Sequence, residues 1–272
     1  MKTEKMACAA LMLFVAVSQL CFWSCSVKED RRMCPARLVL YSDGHVAEGC
    51  GNDFRCSLTS GNDGSHWLDS FGMKAFAVKG DLVYEVPRDE SVQLDIYGGI
   101  RQMRKSGDIL LITPGNSCDS IYSGHAVAYV PGEEGEASTP LNKDFATLTM
   151  YLSGMGNSQF AFRINGNVDG FLIPGGVPHA GKFECIPDLA GDGVLVCRIP
   201  RQLDDSLLLE LLNADDGTTA TAVALGKTIA EIGYDWLEPD LKDIVIGVDV
   251  VRTTFSISVE GWETTETIKI DL

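Results

Sequence analysis

Long hydrophobic runs are scarce in this sequence. The longest lies at the N-terminus, where Met6–Leu20 gives fifteen residues dominated by apolar side chains. A helix needs about 20 consecutive apolar residues to cross the hydrocarbon layer of a bilayer. No later segment approaches that length, so the sequence predicts no membrane-spanning helix in the mature chain.

Positive charge is also scarce. The chain has 22 Lys and Arg residues against 38 Asp and Glu residues, which gives a formal net charge of −16. The densest cationic run is Arg101-Gln102-Met103-Arg104-Lys105, and it is short. An acidic surface repels phosphate backbones. We therefore expect no nucleic-acid partner.

Motifs for catalysis and for metal or nucleotide binding are missing as well. The sequence has no C-x-x-C pair and no G-x-S-x-G elbow. Its four histidines are scattered, at His45, His66, His125 and His179. Gly226-Lys227-Thr228 ends like a phosphate-binding loop, but Thr221 occupies the position of the required earlier glycine. We expect no catalytic residue, no metal site and no cofactor.

The N-terminus has the features of a secretory signal. Lys2 and Lys5 precede the apolar run, which is typical of a signal peptide rather than of a membrane anchor. Lipoprotein processing requires a cysteine at the new N-terminus, because its thiol carries the lipid. Cys25 fits this position, since the small residue Ser24 directly precedes it. The sequence predicts a signal peptide over residues 1–24 and acylation of Cys25. Cys21, preceded by Leu20, fits less well, and the alternative is a secreted protein without lipid.

A short tether follows the predicted lipidation site, over residues 25–33. It contains Lys28-Glu29-Asp30, which resembles a signal that some bacteria use to move lipoproteins to the outer leaflet. The sequence therefore predicts a surface-exposed protein, held on the cell outer membrane by lipid.

Cysteine content is typical of an oxidising compartment. Of nine cysteines, six remain after signal cleavage and lipidation, an even number that permits up to three disulfides. Cys185 and Cys197 lie symmetrically about the turn at Ala190–Gly193, so a hairpin would place them opposite each other. We predict a disulfide between these two. Free buried thiols are the alternative, and the connectivity of the other four stays open: Cys34, Cys50, Cys56 and Cys118.

Alternation of apolar and polar residues, separated by glycine-rich breaks, dominates the chain from Cys34 onward. This pattern is typical of antiparallel sheets with one buried face. Such segments are Arg37–Tyr41, Met73–Val78, Leu82–Val86, Val92–Tyr97, Ala146–Leu152, Phe160–Ile164, Lys182–Ile186, Val194–Ile199, Ser206–Leu212, Thr218–Leu225, Asp243–Val251, Phe255–Val259 and Thr265–Ile270. Met73–Val78 and Leu82–Val86 are predicted to form a hairpin, and Lys227–Tyr234 a short helix.

The acidic, proline-bounded segment Pro131–Pro140 is predicted to be a long loop or a domain boundary. The resulting fold class is all-β, with two β-sandwich domains at residues 34–138 and 139–272.

Four segments resemble the FimB-type fimbrial anchor lipoproteins of the fimbrillin superfamily. They are Cys25–Arg31 with Cys34-Pro35, Pro140–Leu148, Ile199–Arg201 with Asp204–Leu209, and Asp243–Ile246 with Phe255–Glu263. The resemblance implies two tandem transthyretin-like sandwiches and a role at the base of a surface pilus. It also implies that a fimbrial stalk subunit binds by strand complementation. Ala36 departs from the family, where a second cysteine is common, and residues 44–72 match poorly.

Two features bear on how such a protein is assembled. About ten residues separate Cys25 from the strand at Arg37, which is enough to clear lipid headgroups but too short for a removable strand. This favours an unprocessed anchor.

An unpaired sheet edge could bind a partner strand. The candidates are Ala146–Leu152 and Thr265–Leu272, and the alternative is that both are internal.

Other functions remain open on the sequence alone. A surface glycan-binding lipoprotein would use exposed aromatic residues, for which Trp236 and Trp262 are the candidates. A surface hydrolase would need converging acid, base or nucleophile. A lipid-anchored accessory or tip subunit of a pilus is a third alternative, and a role in limiting fimbria length is open.

Overall fold

The computed structural model describes residues 34–46, 52–61, 64, 66–154, 160–191, 193–213, 215–249, 254–259 and 265–269. The described residues from Ala36 onward belong to one compact unit. The predicted signal peptide and tether, residues 1–33, lie outside the described residues.

Strands dominate the described chain. The first half contains β1 (Ala36–Val46), β2 (Phe54–Ser60), β3 (His66–Phe71), β4 (Leu82–Val86), β5 (Ser91–Gly98), β6 (Arg104–Ser106), β7 (Ile109–Leu111), β8 (Tyr122–Tyr129) and β9 (Glu134–Lys143). The second half contains β10 (Phe145–Ser153), β11 (Phe160–Leu172), β12 (Val177–Cys185), β13 (Asp188–Gly191), β14 (Val194–Pro200), β15 (Leu208–Asn213), β16 (Thr219–Val223), β17 (Ile244–Asp249), β18 (Thr254–Val259) and β19 (Thr265–Lys269). Helices α1 (Met73–Ala77) and α2 (Leu225–Glu231) and a 3-10 turn at Pro174–Gly176 complete the set. The predicted all-β class is confirmed.

A seven-stranded sheet is built from the first half of the chain, in the order β3-β2-β5-β8-β9-β1-β4. Its pairs are antiparallel except for β1 and β9, which run parallel. Successive side chains of a strand point to opposite faces of the sheet, and one face lies in the core. In β2, Cys56 and Leu58 are fully buried while Arg55 is exposed.

Two six-stranded sheets follow. One has the order β13-β14-β10-β17-β18-β19. The other has the order β16-β15-β11-β7-β6, and β12 pairs with β11 on its opposite side. The β6–β7 hairpin, from the first half of the chain, thus adds to a sheet of the second half.

The buried apolar side chains of the three sheets form one contiguous cluster. Strand β10 supplies Leu148 and Met150, and β17 supplies Ile244 and Ile246, all at 0% exposure. These residues alternate with more exposed neighbours, which is the period-two pattern seen in the sequence. Apolar burial on alternate residues therefore explains the strand assignment of most predicted segments.

The predicted hairpin strand at residues 73–78 is wrong, since Met73–Ala77 forms helix α1. Phe76 is fully buried, and its ring lies 5.7 Å from that of Phe71. Met73 and Phe76 are spaced three residues apart, so a helical turn brings both toward the core. A short apolar run is compatible with both the helical and the strand periodicity, and tertiary packing favours the helix here. The one predicted helix, at Lys227–Tyr234, is confirmed with shifted bounds, as α2 (Leu225–Glu231).

The predicted long loop at residues 131–140 is also wrong, since strand β9 begins at Glu134. Its exposed face carries Glu134 and Glu136, while Ala137 and Leu141 are buried. Because only one face of the strand is buried, its acidic residues stay in solvent. The boundary predicted between residues 138 and 139 falls within β9, and the division into domains 34–138 and 139–272 stays a prediction.

Helices that could cross a bilayer are not found in the described part of the chain.

Replacing Leu148, buried in the interior strand β10, should destabilise the whole fold. Leu148→Ala removes apolar atoms and leaves a cavity, so we expect a loss of about 2–5 kcal/mol in the free energy of unfolding. The matched control is Leu237→Ala, because Leu237 is 86% exposed; its cost should stay within about 0.5 kcal/mol. Urea denaturation measures both, and equal effects would contradict the assignment of Leu148 to the core.

Candidate functional site

The sheet edges are the first candidate for an assembly site. An edge strand presents unpaired N–H and C=O groups that can bind a strand of another chain. Of the two predicted edges, Ala146–Leu152 is wrong. It lies in β10, which pairs with β14 on one side and with β17 on the other. The alternation of Ala146, Leu148 and Met150 reports a buried face and carries no information about how many neighbours the strand has.

The C-terminal strand is at an edge, as predicted. Strand β19 is last in its sheet and pairs with β18 from Thr254↔Lys269 to Ser258↔Thr265. The five paired positions run without a register shift. A regular strand of this kind presents the N–H and C=O groups of every second residue on its outer side, where a further strand can bind them.

Other edges in the described residues are blunted. Strand β6 has three residues, including Arg104 and Lys105. Strand β13 has four residues and a register shift against β14. Strand β16 contains a register shift against β15. Strand β12 contains Pro178 and two irregularities against β11. Short length, positive charge, proline and bulges are the devices by which proteins discourage edge pairing.

The two edges of the seven-stranded sheet approach each other. The Tyr84 hydroxyl on β4 donates a hydrogen bond of 2.9 Å to Asp69 Oδ2 on β3. Burial raises the pKa of Tyr84, so this hydroxyl stays protonated as the donor. Because the contact joins the two edge strands, the sheet is curled and a further strand has less access there. Strand β19 is therefore the strongest candidate for strand addition among the described edge strands.

A buried polar network is the second feature of interest, and its centre is Asp144, between β9 and β10. Arg201 Nη2 lies 3.1 Å from Asp144 Oδ1, and the two side chains are 13% and 8% exposed. The same guanidinium donates to the carbonyl oxygens of Trp236, Glu238 and Pro239. Burial raises the pKa of Asp144, although the Ser123 hydroxyl and the Arg201 charge oppose that shift.

The network continues from Asp144 into the seven-stranded sheet. The Ser123 hydroxyl donates to Asp144, and His125 Nε2 lies 3.2 Å from Ser123 Oγ. His125 Nδ1 lies 2.9 Å from Asp95 Oδ1, which also accepts the Gly175 N–H at 2.8 Å. Asp95 and His125 lie on β5 and β8, whereas Gly175 lies in the turn after β11. The network thus joins the sheet of the first half to elements of the second half.

Ser123, His125 and Asp95 meet in the order found in serine hydrolases, which raises the question of catalysis. Ser123 is only 7% exposed, and its hydroxyl proton is directed to Asp144 rather than to a histidine base. The cavity that Ser123, His125 and Asp144 line has a volume of about 10 Å³, which is too small for a substrate. This geometry supports a structural hydrogen-bond network. Sequence reasoning missed it because its members lie far apart in the chain.

The aromatic candidates for a glycan surface are placed differently from each other. Trp236 is 5% exposed, and its ring centroid lies 4.9 Å from that of Tyr234. Trp236 therefore packs in the core and presents no platform, whereas Trp262 lies outside the described residues. A cleft of about 450 Å³ does exist at one end of β2, β3 and β5, with Asp53, Arg55 and Tyr97 in its lining.

The predicted site residues of the N-terminus lie outside the described residues: Cys25, Lys28, Glu29 and Asp30. Of the histidines, His125 pairs with Asp95, and His179 Nδ1 lies 2.6 Å from Asp169 Oδ1. No group of three or more metal-ligating side chains is found in the part of the chain that the structure describes.

Cys185 and Cys197 do not face each other across a hairpin, so the geometric reason given for pairing them is wrong. Cys185 ends β12 opposite Ile164 of β11, whereas Cys197 lies in β14 opposite Leu148 of β10. The hairpin that follows consists of β13 and β14, and Cys185 precedes it. The two thiols are nevertheless neighbours that interact with each other between the sheets. Both are thiols in this structure.

Comparison with known proteins identifies the fold. No protein-family model and no curated protein matches the sequence. Solved structures do match. A candidate adhesin from Bacteroides ovatus has a TM-score of 0.63 at 13% identity, over 86% of this chain and 96% of that one. A candidate polysaccharide-binding protein from Bacteroides thetaiotaomicron has a TM-score of 0.61 at 12% identity, over 87% and 98%.

A third similar structure is the fimbrial anchor protein Mfa2 from Porphyromonas gingivalis. Its TM-score is 0.59 at 11% identity, over 84% of this chain and 98% of that one. At these identities the likeness shows that the fold is shared. The described chain thus has the fold of a group of fimbrial and adhesin proteins, over nearly the whole length of each.

Removing the cation of the buried network should destabilise the protein strongly. Arg201→Ala leaves the Asp144 carboxylate buried without its counter-charge and three carbonyl groups without a donor, so we expect a loss of about 3–5 kcal/mol. The control is Arg163→Ala, which removes the more exposed ion pair with Glu210 and should cost about 1 kcal/mol or less. Chemical denaturation measures both, and a cost for Arg201→Ala no larger than the control would refute the assigned importance of this pair.

Proposed function

We propose that this protein is the anchoring subunit at the base of a surface fimbria. In this proposal it is held on the outer membrane by lipid on Cys25 and binds a fimbrial stalk subunit by strand complementation. The observation that carries the proposal is the regular edge strand β19 in a fold shared with a fimbrial anchor protein. The segments that resemble fimbrial anchor lipoproteins, from Cys25 to Glu263, add support.

The lipid end of the proposal follows from the sequence of the N-terminus. Ser24-Cys25 suits lipoprotein processing, and Lys28-Glu29-Asp30 suits export to the outer leaflet. A single acyl chain binds a bilayer only marginally, whereas two or more chains hold firmly. A doubly or triply acylated cysteine therefore gives the firm attachment that the base of a fimbria under shear requires.

The protein end of the proposal depends on backbone hydrogen bonds. Strand addition takes its affinity from the main chain and its specificity from alternate side-chain pockets. Strand β19 pairs with β18 in regular register over five residues, so its alternate residues offer their main-chain groups on the outer side. This mode of binding needs no cofactor and no catalytic residue, and we propose that the protein is not an enzyme.

A second candidate function is glycan binding. It is favoured by the cleft near Arg55, because that cleft combines charged and polar groups with an opening to solvent. One protein of this fold is itself a candidate polysaccharide-binding protein. An accessory or tip subunit of the fimbria would use the same edge, and a role in limiting fimbria length would follow from the same attachment.

Proline substitution on β19 tests the strand-addition proposal. In an antiparallel pair, N–H groups alternate between the partner strand and the outer side. Of Glu266→Pro and Thr267→Pro, one therefore removes a bond to β18 and the other removes an outward donor. The variant that loses only the outward donor should keep wild-type stability. From detergent-solubilised membranes, we expect it to co-purify at most a tenth of the stalk subunit that the wild type does.

The matched control for this test is Thr221→Pro on the blunted edge β16, which should leave co-purification unchanged. Removal of residues 265–272 is the coarser form, with folding checked by circular dichroism. Undiminished co-purification by a folded deletion variant would eliminate β19 as the assembly edge.

Replacing Cys25 tests the lipid attachment. Cys25→Ala removes the only thiol to which lipid is proposed to be attached, so the protein should move from the membrane fraction to the soluble fraction. Cys34→Ala is the control, because Cys34 is exposed and close in sequence. Fractionation with immunoblotting measures the distribution. If Cys25→Ala stays in the membrane pellet as the wild type does, the anchor is not at this cysteine.

A further inference from the structure

We propose that Cys185 and Cys197 form a disulfide that ties the two sheets of the second half of the chain together. The bond would connect the β11–β12 sheet to the β10–β14 sheet. The inference does not depend on the fimbrial role, but it requires that the chain is exported to an oxidising compartment.

Burial and contact of the two side chains carry the proposal. Cys185 is 0% exposed and Cys197 is 2% exposed, and both point into the space between their sheets. The two thiols interact with each other. Arg198, the residue after Cys197, donates its backbone N–H at 3.3 Å to the Ser117 hydroxyl, which itself lies 3.6 Å from Cys185 Sγ. A disulfide requires a sulfur–sulfur distance near ~2.05 Å. Because the two side chains are neighbours in the space between the sheets, small side-chain adjustments would suffice.

The surroundings make the two thiols unequal. The Ser117 hydroxyl lies 3.6 Å from Cys185 Sγ. The hydrogen bonds from Cys197 and Ser117 lower the pKa of Cys185, whereas donating its proton raises the pKa of Cys197. The thiolate is the nucleophile in disulfide chemistry. In the closed structure Cys185 is thus the more readily ionised of the two thiols.

The chemical step balances with a disulfide-bearing thiol oxidase of the cell envelope as oxidant. The thiolate of one of the two cysteines attacks one sulfur of the oxidase disulfide, forming a mixed disulfide and releasing the other sulfur as a thiolate. The second cysteine loses its proton to solvent and attacks the sulfur of the first, which expels the remaining oxidase sulfur as a thiolate. Two protein thiols become one disulfide, and the oxidase takes up two electrons and ends as a dithiol. Since both residues are buried, the exchange takes place before the sheets close.

Other described cysteines are less suited to this reaction. Burial raises the pKa of Cys56 to about 12, so it remains a thiol in the core of the seven-stranded sheet. Cys118 is the competitor, because it lies near Cys185 and is 0% exposed. Burial also raises the pKa of Cys118 well above its ordinary value. It donates its backbone N–H to the carbonyl of Arg198, so it lies beside β14.

Peptide mapping of the full chain tests the assignment. The protein is purified from the cell envelope without reductant, unfolded at acid pH and alkylated. We expect a peptide that links Cys185 to Cys197 and is lighter by two hydrogens, with Cys56 and Cys118 alkylated as free thiols. Free alkylated Cys185 and Cys197, or a Cys118–Cys185 link, would overturn the proposal.

Thermal unfolding of variants separates a bond from simple packing. Cys185→Ala and Cys197→Ala should each lower the Tm by about 5 °C or more, because either change opens the loop in the unfolded state. The double variant should have a Tm no lower than that of the less stable single variant, because either single change already removes the whole disulfide. Reductant should lower the Tm of the wild type alone. Additive losses and no effect of reductant would mean that the two thiols only fill space.

Discussion

The ion pair between Arg201 and Asp144 is the contact on which the arrangement of the sheets depends. A carboxylate buried to this degree is costly unless it is both paired and hydrogen-bonded. Asp144 meets that condition through Arg201 and the Ser123 hydroxyl. Arg201 in turn satisfies three carbonyl groups of the segment before β17. A planar guanidinium with several fixed donors suits this role, and lysine could not replace it.

The same region fixes the path that leads to the edge strand β19. Asp240 accepts the backbone N–H of Lys143 at 2.7 Å, and Asp243 accepts that of Thr147 at 2.6 Å. These bonds hold the start of β10 against the chain that enters β17, and the two strands then pair in parallel. Strands β18 and β19 extend that sheet outward. The position of the open edge is therefore set by polar contacts around residues 143–147. In an anchoring subunit, a force applied at β19 would pass through this joint.

Much of the strand content could be predicted from the sequence, because alternation over segments such as residues 92–97 directly reports one buried face. The failures had physical causes. Residues 73–77 are too short for a period to decide between helix and strand, and the packing of Phe76 decided it. Residues 134–143 contain turn-forming and acidic residues, yet pairing with β1 makes them a strand. The contacts among Asp95, Ser123, His125 and Asp144 could not be predicted, since they arise only when distant strands meet. Arg201 and Asp144 belong to segments that resemble fimbrial anchors, but nothing in those segments shows that the two residues pair.

The central claim is that this chain holds fimbriae on the cell, through lipid on Cys25 and through addition of a partner strand to β19. Electron microscopy of cells that lack it, with and without the restored wild-type gene, tests that claim most directly. The account predicts that the deletion strain sheds its fimbriae into the medium and that the restored strain keeps them on the cell. Fimbriae of normal number that stay attached to cells without this protein would contradict it.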